Sequence, residues 1–267
     1  MYDQASKLVH TSNVYHHRWT GELAKLLIQL TKRDGGLGWN PGTTTSSSSS
    51  SAGAKVFLAN SGTEANEGAL KFSRKVGKDR WAKLKKITPP LDYTNPTYVS
   101  SPKIRIVAFQ DAFHGRSMGS LSVTSNPKYQ APFQPLIPNV VIGRYNEADE
   151  EVLKALITEE TCGVIVEPVQ GEGGVHSANV EFLRALRKRC DEVDAVLIFD
   201  EIQVSSFSFS SSLFPVDDIV LLMVLVWTVS LWYALGSFDA TDRLSSRHDH
   251  NGQTHRKWFP IRSHPHS

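Results

Sequence analysis

Cysteine is almost missing from this chain: Cys162 and Cys190 are the only two in 267 residues. Both fall in segments whose pattern reads as strand and helix rather than as paired loops. A disulfide framework is therefore excluded and a reducing compartment is expected. An excess of charge of either sign is missing too. Lys+Arg 29 against Asp+Glu 27 leave a formal +2, which provides no electrostatic footprint for nucleic acid. The opening MYDQASKLVHTSNVYHH lacks a basic start, an apolar stretch and a small-residue cleavage site, so no targeting signal is visible. Long apolar runs are scarce, with one exception, the 20 uncharged residues Ile219 to Phe238. That run is long enough to cross a bilayer, but Asp217, Asp218 and Asp239 flank it in place of the Lys/Arg bias of an anchor, so a membrane span is not expected. What is present, 40% hydrophobic and 21% charged residues, excludes disorder of the chain as a whole and suffices for a substantial core.

Composition divides the chain. Residues 1–42 carry a helical period in TGELAKLLIQLTKR, with Leu23, Leu26, Leu27 and Leu30 on one face, and end in the Gly/Pro cluster GGLGWNPG. Residues 43–54 are a Ser/Thr-rich insertion with no assigned role. In residues 55–203, KVFLAN, KIRIVAF, NVVIGRY, CGVIVEPV and DAVLIFDE read as short buried strands. Helices lie between them, as in SANVEFLRALRKRCDEVD, where Phe182, Leu183, Leu186 and Cys190 form one apolar stripe. Strands alternating with helices predict an α/β fold: a mostly parallel sheet with helices on both faces, whose ligands bind at the carboxyl ends of the strands. After Gln203 the pattern stops, and residues 204–267 have neither strand nor helix logic.

Four stretches carry polar groups where such a sheet binds ligands. In VFLANSGTEANE, a turn at Ser61, Gly62 and Thr63 opens a helix with Glu64 in its first turn, a place where free N–H groups converge on an anion; the same residues also serve as ordinary helix caps. In AFHGRSMGS, Phe113, His114 and Arg116 sit among glycines, offering an aromatic plane and a carboxylate-gripping guanidinium, or else a core ring and a surface charge. In EPVQGEGG, Glu167 and Glu172 flank a Pro/Gly turn and read as solvated acids. In AVLIFDEIQ, an apolar strand ends in Asp200, which is either aimed into the ligand crevice with a cationic partner or merely structural.

Taken in order, SGTEANE, AFHGR, EPVQGEGG and IFDEIQ, with the opening KLVHTSNVYH, resemble the class III aminotransferases that use pyridoxal 5′-phosphate (PLP), most closely their acetylornithine branch, across residues 5–203. The resemblance implies the PLP-dependent fold type I and a transfer of the terminal amino group of N2-acetylornithine to 2-oxoglutarate in arginine biosynthesis. It further implies that Ser61, Gly62 and Thr63 bind the cofactor phosphate and that Phe113 stacks on the pyridine ring. Asp200 would pair with the ring nitrogen and Gln203 would bond near the phenolic oxygen. On the substrate side, Arg116 would hold the carboxylate, Glu172 corresponds to a glutamate that gates an arginine, and Tyr15, beside His16, falls among substrate-side aromatics. A homodimer and a mitochondrial matrix location are implied as well. Family members begin with a further segment of the small domain, and the resemblance implies that this chain opens inside it. An ornithine or 4-aminobutyrate aminotransferase, or a noncatalytic membrane-anchored remnant, are the alternative readings.

The family's Schiff-base lysine follows the Asp-Glu-x-Gln strand in a motif of the type TMAKPLANGFPIGA, which these 267 residues do not contain. Lys257, the only lysine after Asp200, sits in THRKWFP and does not match. The genetic code nevertheless permits the motif: degenerate codons for His248 to His264, read one nucleotide later, allow MITMAKPIANGFPFGA. Val204-Ser205 is encodable as GTGAGT or GTAAGT, the form of an intron donor. Residues 204–267 are thus expected to be a translated intron followed by out-of-frame coding sequence, and the chain itself to be catalytically incomplete.

Overall fold

A parallel strand satisfies its backbone only through neighbours delivered by crossovers, so the order of elements fixes the layers. The computed structural model describes residues 2–12, 14–33, 55–87 and 92–202. The elements, in chain order, are α1 (Tyr2–Ala5), α2 (Arg18–Arg33), α3 (Gly62–Leu84), α4 (Pro96–Val99), β1 (Arg105–Phe109), α5 (Met118–Val123), α6 (Pro127–Gln130), β2 (Val140–Gly143), α7 (Glu150–Leu156), β3 (Thr161–Val166), β4 (Val169–Gln170), β5 (His176–Ser177), α8 (Val180–Glu192) and β6 (Val196–Phe199). Four strands form a wholly parallel sheet in the order β2-β1-β3-β6, and β4 and β5 make a small antiparallel ribbon.

Side chains alternate across this sheet, so each strand feeds two cores. Val107, Phe109, Val164, Val166, Leu197 and Phe199 face one core with Phe182, Leu183, Leu186 and Cys190 of α8. Ile106, Ala108, Ile165 and Ile198 face the other, with Ala69 and Leu70 of α3 and Val123 of α5. The expected covering of both faces is therefore present. The predicted stripe of α8 is fully buried, and Phe182 meets Phe109 edge-on at 5.1 Å. Burying one such ring contributes about 1.5–3 kcal/mol. Both cysteines are buried and free.

The inner face of α3 is lined by small residues, among them Gly62, Ala65, Ala69, Ser73 and Gly77. Gly77 has a steric reason: a Cβ there would lie 2.8 Å from the Cβ of Cys162 on β3. This close approach brings the amino end of α3 to the carboxyl ends of the strands.

Two expectations are corrected. KVFLAN is not a strand: residues 55–59 are irregular and Phe57 is 44% exposed, because a strand exists only where a neighbour pairs its backbone, and none of the described strands lies beside it. In α2, Leu27 is buried but Leu26 is 47% exposed, so the apolar face is narrower than its period suggests. The insertion at 43–54, Gln203 and residues 204–267 lie outside the described residues. Among the described residues, no helix is long and apolar enough to cross a membrane, and no cluster of His, Cys, Asp and Glu is arranged to hold a metal.

Candidate functional site

Four chain segments meet at the carboxyl edge of the sheet: the start of α3, the loop after β1, the turn after β3 and the end of β6. Ser61, in extended conformation, caps α3 and its Oγ accepts from Glu64 N at 3.4 Å, while the Glu64 carboxylate reaches back to Asn60 N at 2.8 Å. The N–H groups of Gly62 and Thr63, first and second in the helix, have no intrahelical acceptor and point out along the positive end of the helix dipole.

The loop after β1 is tied onto that helix start. Thr63 Oγ1 is 2.8 Å from Ser117 Oγ, Ser120 Oγ donates to the Thr63 carbonyl at 3.0 Å, and Glu67 Oε1 accepts from Gly119 N at 2.7 Å. Gly115 makes this approach possible: its φ is +120°, and a Cβ there would sit 2.6 Å from Thr63 Cβ. Phe113 is half-buried beside it, and its backbone N–H donates to Glu167 Oε1 at 2.9 Å.

Asp200, at the end of β6, is buried and held from three directions. Oδ2 accepts from Asn66 Nδ2 at 2.8 Å and lies 2.7 Å from His114 Nδ1, and Oδ1 accepts from Ile202 N at 3.2 Å. An ionised carboxylate is acceptor-only, so against it His114 Nδ1 carries the proton. The partners of Asp200, expected to be cationic, are the imidazole of His114 and the amide of Asn66. One lone pair of Oδ1 remains for a further donor. Asn66 Oδ1 and His114 Nε2 are buried with no hydrogen-bond partner among the described residues, the condition of a polar shell that a bound group or water completes.

Glu167 corrects its reading as a solvated acid. It is 5% exposed, and burial pushes its carboxyl up to about 7, with His114 and the Phe113 N–H acting in the opposite sense. Glu172 is exposed as expected and accepts from the hydroxyl of Tyr129 at 2.8 Å. The guanidinium carbon of Arg116 lies 4.2 Å from the centre of the Tyr129 ring, and Phe113 meets the same ring edge-on at 6.0 Å.

Ser61, Gly62, Thr63, Phe113, Arg116, Glu172 and Asp200 therefore come together. Tyr15 does not: it is 71% exposed, and among the described residues no hydrogen bond or ring contact ties its side chain to this cluster. Sequence reasoning missed Asn66 and Tyr129. Asn66 had a signal, as a lone amide on the small-residue face of α3; Tyr129, in NPKYQ, had none.

The Asp200–His114–Asn66 group, the capped helix start and the adjacent ring suit a phosphate-bearing aromatic cofactor, and the comparisons agree. Residues 1–218 match the model of the family described as aminotransferase class-III. The chain is similar to the mitochondrial acetylornithine aminotransferases of Yarrowia lipolytica (51% identical over 201 residues, 75% of this chain and 40% of the relative) and Neurospora crassa (50%, covering 75% and 37%). That of Saccharomyces cerevisiae is 40% identical over 76% of this chain and 41% of its own length. The chain thus spans about two fifths of the length of the curated relatives it matches. Among solved structures, ornithine aminotransferase from Toxoplasma gondii is 26% identical with a TM-score of 0.54, over 76% of this chain and 39% of that one. A transaminase from Virgibacillus shares the fold at 20% identity and a TM-score of 0.55, over 75% and 40%. A matching family model over most of the chain, relatives of up to 51% identity and a common fold lead to one conclusion: the chain belongs to the class III aminotransferase family.

Proposed function

We propose that these residues are part of a PLP-dependent aminotransferase that transfers the terminal amino group of N2-acetylornithine to 2-oxoglutarate. The observation that carries the cofactor reading is the buried Asp200, oriented by His114 and Asn66 at the carboxyl end of β6, across from the open N–H groups of Gly62 and Thr63. PLP, when bound, supplies an electron sink for charge developing on the substrate carbon. The chain's own residues do the rest. Ser61, Gly62 and Thr63 hold the phosphate at the helix start. Phe113, whose backbone is braced by Glu167, would cover one face of the ring. Asp200 would keep a proton on the ring nitrogen, and Gln203, outside the described residues, would bond near the phenolic oxygen. Arg116 grips the substrate carboxylate and Glu172 stands beside it, whereas Tyr15 lies apart from this cluster and is given no role in it.

Among the described residues, Lys103 is the buried lysine, and it lies at the wrong end of the sheet. It precedes β1 and donates to the carbonyls of Val193 and Thr161, at the amino-terminal edge. With no family lysine motif in the 267 residues, the chain as written holds cofactor without turning it over. The complete protein is a mitochondrial homodimer in this reading, supported by relatives named mitochondrial. Ornithine as amino donor is the second reading, favoured by the Toxoplasma gondii structure.

Sequencing mature transcripts across the codons for Gln203 to Asn251 tests the frame, and initial rates of the encoded enzyme on three donors test the substrate. Transcripts joining DEIQ to a frame with MAKPIANGFP, with N2-acetylornithine the fastest donor, are expected. Retention of the intervening stretch in every mature transcript, or faster turnover of ornithine or 4-aminobutyrate, contradicts the proposal.

A further inference from the structure

Arg116, Glu172 and Phe113 share one neighbour, Tyr129, and it treats each differently. The guanidinium of Arg116 lies over the Tyr129 ring at 4.2 Å. The guanidinium carries five N–H donors, so engagement by the Tyr129 side chain leaves others for a two-pronged grip on a carboxylate. Tyr129 donates its hydroxyl to Glu172 Oε1 at 2.8 Å, and this bond raises the phenol above its ordinary value. Among the described residues no carboxylate forms an ion pair with Arg116, although Glu172 is attached to the ring on which Arg116 rests. The platform is fixed. Asn126 caps α6 by accepting from Lys128 N at 3.0 Å, and Gln130 Nε2 donates to the Leu121 carbonyl at 3.1 Å, tying α6 to α5. Phe113 closes the third side at 6.0 Å.

We infer that Tyr129 is a specificity-determining positioning residue, whose ring presents the Arg116 guanidinium to a ligand carboxylate while its hydroxyl withholds Glu172 from the same guanidinium. The inference rests on the proposed role of Arg116. Without the hydroxyl, Glu172 is released and competes with the ligand for Arg116. Without the ring, Arg116 also loses its orientation.

The test is calorimetric binding of two probes to the full chain saturated with PLP: N2-acetyl-L-ornithine, and N-acetylputrescine, which differs by lacking the carboxylate. A charge-assisted carboxylate contact favours the first by roughly tenfold or more. Tyr129→Phe, which keeps the ring, is expected to reduce that preference severalfold, and adding Glu172→Gln in the double variant is expected to restore it. Tyr129→Leu is expected to abolish the preference without rescue by Glu172→Gln. Near-ultraviolet circular dichroism checks that each variant is folded, and the near-isosteric Tyr129→Phe keeps the test decisive if Tyr129→Leu does not fold. A wild-type preference in both Tyr129 variants, alongside its loss in Arg116→Leu, overturns the inference and leaves the reading of Arg116 standing. An undiminished preference in Arg116→Leu overturns that reading and the inference with it.

Discussion

Glu167 shows how one buried side chain couples the site to pH. It is 5% exposed, braces the Phe113 backbone at 2.9 Å, and burial raises its carboxyl from 4.5 to about 7. Between those values the folded chain holds a proton that the unfolded chain has released. Folding is therefore favoured most below pH 4.5, and this contribution is lost as pH rises through about 7. A shift of that size corresponds to about 3 kcal/mol as an upper bound. Glu167→Gln, which retains an acceptor for Phe113 N, is expected to flatten the pH dependence of urea-unfolding free energy between pH 5 and 8. Unchanged dependence in the variant contradicts the assignment. The same residue marks a limit of sequence reading. Followed by Pro168 and the glycines at 171, 173 and 174, Glu167 looks like a loop acid, and only the return of the Phe113 loop over it reveals its burial. Asp200 was legible because four apolar residues precede it, so that the strand carries it to the sheet's edge. Its partners were not, since Asn66 and His114 lie 134 and 86 residues away in sequence.

At the scale of elements, helix starts were read well and unpaired strands badly. The cap at Ser61 and the buried stripe of α8 depend on neighbours within a few residues, which a local pattern records. Whether 55–59 forms a strand depends on a pairing partner, which no local pattern records. The start of α3 also separates stability from ligand binding. Ser61→Ala is expected to cost about 1 kcal/mol in stability and to weaken PLP binding severalfold, with inorganic phosphate competing for the same N–H groups. Asn179→Ala removes the equivalent cap of α8, where Asn179 accepts from Phe182 N at 2.7 Å, on the opposite face of the sheet. It is expected to cost a similar amount of stability and to leave PLP affinity unchanged. Equal loss of PLP affinity in both variants, measured by fluorescence titration, refutes a phosphate site at α3.

At the scale of the whole molecule, the described residues form four parallel strands between two helical layers, which bring Ser61, Phe113 and Asp200 to one edge. The fold and the family were legible because motif order survives over residues 5–203, and the family model reaches residue 218. The proposed catalytic lysine is legible only in a shifted reading frame, which no folding pattern expresses. In the proposed reading this edge is a PLP cradle that binds without covalent capture. Titration of the purified 267-residue chain and its Asp200→Asn variant with PLP, each followed by borohydride reduction and peptide mass spectrometry, tests it most directly. Saturable binding is expected in the wild type, weakened at least tenfold in Asp200→Asn, with no single lysine labelled. Absence of saturable binding, equal affinity in the variant, or stoichiometric fixation of PLP on one lysine with turnover would contradict it.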